Sequence, residues 1–273
     1  MKTKHIKQVS NNTIAIVISL VMFIPIYLVT VNSLKDKVQA STMGVELPTS
    51  LHWENFATVI EQGKLVQAFF NSLLYATLST IIGVLLAASA AYVLSRNRTR
   101  LNRFLYFLII MGIAMPINFV TLTKVMQTTN LINSQFGIII LYAAIQIPFS
   151  VFVIYAFVET IPRELDEAAI IDGCSPIQLF ILVILPLLTP ALVTTAILSF
   201  LAVWSEFLLP LYFLNSSDKW PMTLAIYNFF GQYEANWALV SADIVLTILP
   251  VIVVYLMGQR YIISGMTAGS VKG

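Results

Sequence analysis

Six stretches of the chain, at roughly 14–34, 68–95, 104–123, 136–158, 187–214 and 238–259, are each long and apolar enough to cross a bilayer as a helix. These runs limit the fold more than any other feature, because backbone in hydrocarbon must satisfy its own hydrogen bonds and only helices or closed barrels do so. The first four runs contain no Asp, Glu, Lys or Arg; the fifth contains only Glu206 and the sixth only Asp243. With 58% hydrophobic and 10% charged residues, the chain falls outside the composition of a cytosolic enzyme, a disordered chain or a nucleic-acid binder. The net charge of +2 calls for no polyanionic partner. The single cysteine, Cys174, excludes an internal disulfide and a Cys-rich metal site. The expected fold class is all-α: a polytopic membrane protein with six transmembrane helices, residues 1–273 forming one domain with the lipid bilayer as its solvent.

Prolines stand in five of the six runs, at Pro25, Pro116, Pro148, Pro190, Pro210 and Pro250. In a bundle, neighbouring helices re-satisfy the backbone groups that proline frees, so kinked, mutually packed helices are expected. The first run follows Lys2, Lys4 and Lys7 but is too long for a secretory signal and lacks a small-residue cleavage site, so it is expected to stay in the mature protein. Counting Lys and Arg by alternate loops gives 10 on the side of the termini and 5 on the other. By the positive-inside rule both termini are cytoplasmic, chiefly because of Arg96, Arg98, Arg100 and Arg103. The second run carries Ser79, Gly83, Ala87, Ala91 and Ser95 at every fourth position, a stripe of small residues that suits close helix approach.

The segment Glu159–Pro186 differs from the rest. It holds five acids, Glu159, Glu164, Asp166, Glu167 and Asp172, against one base, Arg163, beside a membrane face that ordinarily attracts bases. Pro162 suits a first helical position, Leu165 and Ala169 lie one turn apart, and Gly173 supplies a left-handed stop. Ser175 then caps a second short helix with Pro176 at its first position, Gln178 completing a capping box and Pro186 bounding it. The expected product is an acidic helix-turn-helix knob on the cytoplasmic side. A solvated hairpin is the plainer reading of the same charges.

The run Glu167-Ala168-Ala169-Ile170-Ile171-Asp172-Gly173, followed after nine residues by Val183-Ile184-Leu185-Pro186, resembles the EAA signature of binding-protein-dependent ABC importer permeases, with Val183 in place of isoleucine. Tyr155 to Leu165, Trp204 to Pro210 (with Ser205 for the usual Asn), Pro48 to Phe56 and the ending Gly265 to Gly273 are similar to segments of the carbohydrate, maltose-type branch. The resemblance implies a type I ABC importer permease architecture in a bacterial cell membrane. Its implied partners are a second homologous permease, a cytoplasmic ABC ATPase dimer and an external solute-binding protein. It implies that 159–186 is the coupling loop, with Glu167, Ala168, Ala169, Asp172, Gly173, Leu185 and Pro186 as coupling residues and the tail from Met266 to Gly273 as a second contact. The chain has no G-x-x-x-x-G-K-[ST] phosphate loop, so it is expected to be no enzyme and to bind no cofactor, ATP and Mg being used by the partner ATPase.

Acids inside a membrane are costly and face protein or water rather than lipid. Glu206 and Asp243 both fall in the expected outer half, where a delivered sugar would enter. Asn71, Asn118 and Gln146 offer hydrogen-bonding groups for the same pathway, and Trp204 a ring on which a sugar can stack. Interhelical hydrogen bonding without ligand contact is the competing account. A rival function, an ion-coupled secondary transporter, would use the two acids as a proton relay, but no membrane His, Lys or Arg pairs with them. An intramembrane hydrolase lacks a dyad, since His5 and His52 lie outside the runs. Outside, residues 35–67 form a long connection, and Trp220, Tyr227, Phe229, Phe230, Tyr233 and Trp237 suit either an interfacial belt or a surface for the binding protein.

Overall fold

Prolines and capping residues decide where the helices begin and break. The computed structural model describes residues 2–231 and 235–268, with side chains over 11–231 and 235–261. Tyr233 and the tail expected at Met266 to Gly273 fall outside the described side chains. The chain runs through α1 (Lys2–Asn32), α2 (Lys37–Ala40), α3 (Glu54–Gln62), α4 (Leu65–Arg96), α5 (Arg100–Ala114), α6 (Phe119–Thr128), α7 (Gln135–Val158) and α8 (Glu164–Ile171). It continues through α9 (Pro176–Gln178), a π-helical stretch (Leu179–Ile184), α10 (Leu185–Leu187), α11 (Thr189–Trp204), α12 (Leu208–Phe213), α13 (Met222–Ala225) and α14 (Trp237–Ala268). Among the described residues the only bridge of β type is Phe230 to Ala235.

Four helical stretches are long and apolar enough to cross a membrane alone: Asn11–Asn32, Leu65–Arg96, Gln135–Val158 and Trp237–Tyr261. Two more crossings arise only if bent pairs act together, α5 with α6 at 115° and Pro176–Leu187 with α11 at 75°. The single kinked helix expected over 104–123 is therefore corrected to two. Met115 before Pro116 is extended (φ −79°, ψ 122°), as proline requires of its predecessor, and the Asn118 carboxamide then caps α6 by accepting from Thr121 N at 3.0 Å. The continuous helix expected over 187–214 is likewise interrupted. It stops at Trp204, and α12 starts at Leu208 after Glu206 has turned its carboxylate onto the next backbone amides. Pro186 bounds nothing: it lies inside the helical run that ends at Leu187.

The chain divides into two units, Met1–Gln67 with Ala225–Leu249 and Ala68–Leu224 with Pro250–Gly273. In the first, the 35–67 connection is built around buried polar groups. The Lys35 ammonium, wholly buried, donates to Asn32 Oδ1 (3.0 Å) and to the Gly44 carbonyl (2.8 Å). Asn55 Nδ2 donates to the carbonyls of Ser33 and Lys35, each at 2.9 Å, and Asp36 caps α2. Lys35 thus joins a folded loop instead of sitting as a solvated base outside the first span. Most of α1 is exposed along its apolar length, as expected of a lipid-facing helix.

In the second unit the small-residue stripe is buried from end to end: Ser79, Gly83, Ala87, Ala91 and Ser95. A Cβ on Gly83 would stand 3.3 Å from the Ala143 carbonyl, so α4 and α7 meet backbone to backbone. Ala87, Ala88 and Ala91 pack with Val151, Ile154 and Val158, and the same core continues into Ala169 of α8 and Leu179 and Ile184 of the π-helical stretch. Continuity of this core ties the expected knob to the ends of two long helices.

Candidate functional site

The knob begins two residues later than Pro162 suggests, with α8 opening at Glu164. Its first turn holds Glu164, Asp166 and Glu167, where negative charge suits the positive end of the helix dipole. Ala169 turns into the core, while Leu165, one turn before it, stays 39% exposed, so the two do not share a buried face. Gly173 has φ +84°, the left-handed stop read from the sequence, with open space where a Cβ would be. The capping box follows as expected: Gln178 N donates to Ser175 Oγ (3.4 Å) and Ser175 N donates to Gln178 Oε1 (2.9 Å).

Of the expected coupling residues, Glu167, Ala168, Asp172, Gly173 and Pro186 are exposed. Ala169 is buried, and Leu185 packs against the core. Between the acids stand apolar side chains whose exposure water alone does not favour, Ile171 at 85% and Ile177 at 72%.

Sequence reasoning missed how this knob is attached. Arg96, at the last residue of α4, places Nε 2.6 Å from Asp166 Oδ2, with side chains only 11% and 13% exposed. The same guanidinium donates to the Ile161 carbonyl at 3.1 Å. Beside it, Arg98 Nη2 lies 2.8 Å from Glu159 Oε2, and the Ser95 hydroxyl donates to Glu159 Oε1 at 2.9 Å. Burial pushes the Glu159 carboxyl up, but the Ser95 hydroxyl together with the Arg98 and Arg163 charges holds it below the usual carboxylate range. Removing one partner of a buried ion pair costs about 3–5 kcal/mol, so this pair ties α4 to α8, although Asp166 Oδ1 has no hydrogen-bond partner among the described residues. Two residues of the basic cluster are thus structural partners of the acidic loop. Seventy positions separate the two halves of the pair, and nothing local in either segment points to the other.

The expected pathway residues have distinct surroundings. Asn71 Nδ2 donates to the Asp218 and Trp220 carbonyls (2.9 and 3.1 Å), and its Oδ1 accepts from Gln135. Asn118 is an exposed helix cap. Trp204 is 2% exposed and packs among aromatic neighbours, its ring 5.8 Å from Phe69 and 5.6 Å from Phe200. Glu206 accepts from Leu208 N, Leu209 N and the Tyr142 hydroxyl, acting as a helix cap and an interhelical link. Gln146 is buried with both amide atoms unpaired among the described residues, and Asp243, 1% exposed, has one carboxylate oxygen unpaired. These two hold buried polar atoms without a hydrogen-bond partner among the described residues, whereas Asn71 and Glu206 are bonded within the fold and Asn118 uses its carbonyl oxygen as a cap.

Residues 79–267 match the family described as the binding-protein-dependent transport system inner membrane component. The chain is 32% identical, over 273 residues and the whole of both chains, to AmyC of Thermoanaerobacterium thermosulfurigenes, named "probable starch degradation products transport system permease protein". It is 31% identical over 263 residues, 95% of each chain, to the melibiose/raffinose/stachyose import permease protein MelC of Bacillus subtilis. Its fold matches that of a chain in the crystal structure of a bacterial ABC transporter involved in the import of the acidic polysaccharide alginate, with TM-score 0.82, 23% identity, and 96% of this chain and 98% of that one covered.

Proposed function

The chain belongs to the family of binding-protein-dependent transport system inner membrane components, and from that premise we propose that it is the membrane-spanning permease subunit of an ATP-driven sugar importer. It is a multi-pass membrane protein, and the reading places it in a bacterial cytoplasmic membrane with six crossings and both termini inside. A solute-binding protein delivers sugar outside; a second homologous permease completes the pathway; a separate ATPase dimer supplies the energy.

The observation that carries the coupling half of this reading is the exposed acidic knob fixed to α4 by the buried Arg96–Asp166 pair. When an ATPase dimer closes on Glu167, Ala168, Asp172 and Gly173, displacement of α8 reaches α4 through that ion pair and reaches α7 through the shared core. The sugar half is carried by the similarity to MelC and AmyC over nearly all of each chain.

Reconstituting the permease pair with its ATPase and binding protein, then measuring ATP hydrolysis against a panel of sugars, tests both halves. Stimulation by one or more oligosaccharides is expected. Stimulation by amino acids or oxyanions alone would overturn the substrate class. Uptake that survives ATP depletion and collapses with the proton gradient would overturn the ATP-driven mechanism.

A further inference from the structure

Two arginines of the Arg96–Arg103 cluster remain without partners. Arg96 and Arg98 are paired with Asp166 and Glu159. The side chains of Arg100 and Arg103 make no hydrogen bond or ion pair among the described residues, yet both line one concavity of about 430 Å³ together with Arg98 and Glu159. Arg98 and Glu159 neutralise each other at 2.8 Å, so the cavity keeps an excess of two positive charges. Its wall is the close ring pair Tyr106 and Tyr155, centroids 4.1 Å apart.

The position of this cavity selects its ligand. It lies where apolar α4 ends and apolar α5 begins, which is a bilayer surface. Phe107, also lining it, is 58% exposed, and its neighbours Phe104 and Leu108 are more than half exposed. A ligand bound here meets guanidinium groups at one end and an acyl-facing apolar surface at the other. A volume of this size accommodates a headgroup, and unpaired guanidiniums suit phosphate oxygens bidentately.

We propose that the cavity between the ends of α4 and α5 binds the phosphate headgroup of an anionic phospholipid, held by Arg100 and Arg103. The same phosphate chemistry is available from soluble phosphate esters, but these have no use for the apolar lip. The bound headgroup would sit against the Arg98–Glu159 pair, at the root of the coupling loop. The inference rests on the transporter reading only in placing this loop at a bilayer surface.

The test uses the purified permease–ATPase complex in nanodiscs, with spin-labelled phosphatidylglycerol and phosphatidylcholine compared at equal content. The wild type is expected to immobilise phosphatidylglycerol about tenfold in preference, and the Arg100→Gln/Arg103→Gln variant to lose most of that preference, while Lys124→Gln keeps it. Co-purification of the ATPase with the variant checks folding, and the wild-type comparison needs no variant. Equal immobilisation of both lipids by the wild type, or unchanged preference in the double variant, would overturn the site. Displacement of phosphatidylglycerol by glycerol phosphate at matched concentration would make it a soluble-anion site and overturn the lipid assignment. Lipid selectivity is read independently of sugar-stimulated ATP hydrolysis, so this inference and the transporter reading can fail separately.

Discussion

At the scale of single residues, the buried Arg96–Asp166 pair is where the structure adds most to the chemistry. Replacing Arg96 with Met leaves Asp166 buried and unpaired, and we expect lowered thermal stability together with ATP hydrolysis that no longer drives uptake. The double replacement Arg96→Met/Asp166→Leu removes both charges; it should recover stability but not coupling, because apolar packing replaces the desolvation cost without the directional link. Thermal melting and the ratio of sugar moved to ATP hydrolysed check this, and intact coupling in the double variant would remove the pair from the mechanism. Glu159 gives a pH prediction. Its carboxyl titrates lower in the folded protein than in the unfolded chain, so its contribution is present above the ordinary carboxylate pKa and is lost as pH falls through the lowered one. Melting temperature should therefore fall on acidification through the carboxylate range, and Glu159→Gln should flatten part of that dependence.

At the scale of elements, the coupling loop depends on two local devices, and both are legible in the sequence. Gly173 at φ +84° and the Ser175–Gln178 capping box are short-range chemistry, set by residues within four positions of one another. Gly173→Val puts a β-branched side chain into a conformation costing about 1–2 kcal/mol or more, although nothing nearby obstructs it. We expect the angle between α8 and α9 to change, with loss of ATPase co-purification and of uptake; normal values for both would exclude the docking role. The breaks at Met115–Asn118 and Ser205–Phe207 were not legible as breaks. Hydropathy runs through them without interruption, and proline inside a membrane helix does not by itself distinguish a kink from a turn. Here Asn118 and Glu206 cap the next helix and so decide for the turn.

For the whole molecule, orientation is the property on which function depends, and Cys174 provides a native probe. It is the sole cysteine and is partly exposed beside the left-handed stop. A membrane-impermeant maleimide should label it in inside-out vesicles and not in intact cells, and bound ATPase should slow the labelling. Labelling from the outside would invert the topology and remove the coupling loop from the reach of ATP.

Composition and hydropathy by themselves determined that this chain lives in a bilayer as helices, because transfer of side chains and backbone from water is local and additive. The small-residue stripe and the capping signals were likewise readable, since their geometry is fixed within one helix. Tertiary structure alone decided which arginine of the basic cluster meets which acid, that Trp204 packs among aromatics, and that Asn71 and Glu206 are consumed by the fold while Gln146 keeps unpaired groups. The Arg96–Asp166, Phe69–Trp204, Asn71–Asp218 and Tyr142–Glu206 contacts depend on residues tens of positions apart arriving at one place, and hydrogen-bonding capacity carries no mark in the sequence of the partner that will use it.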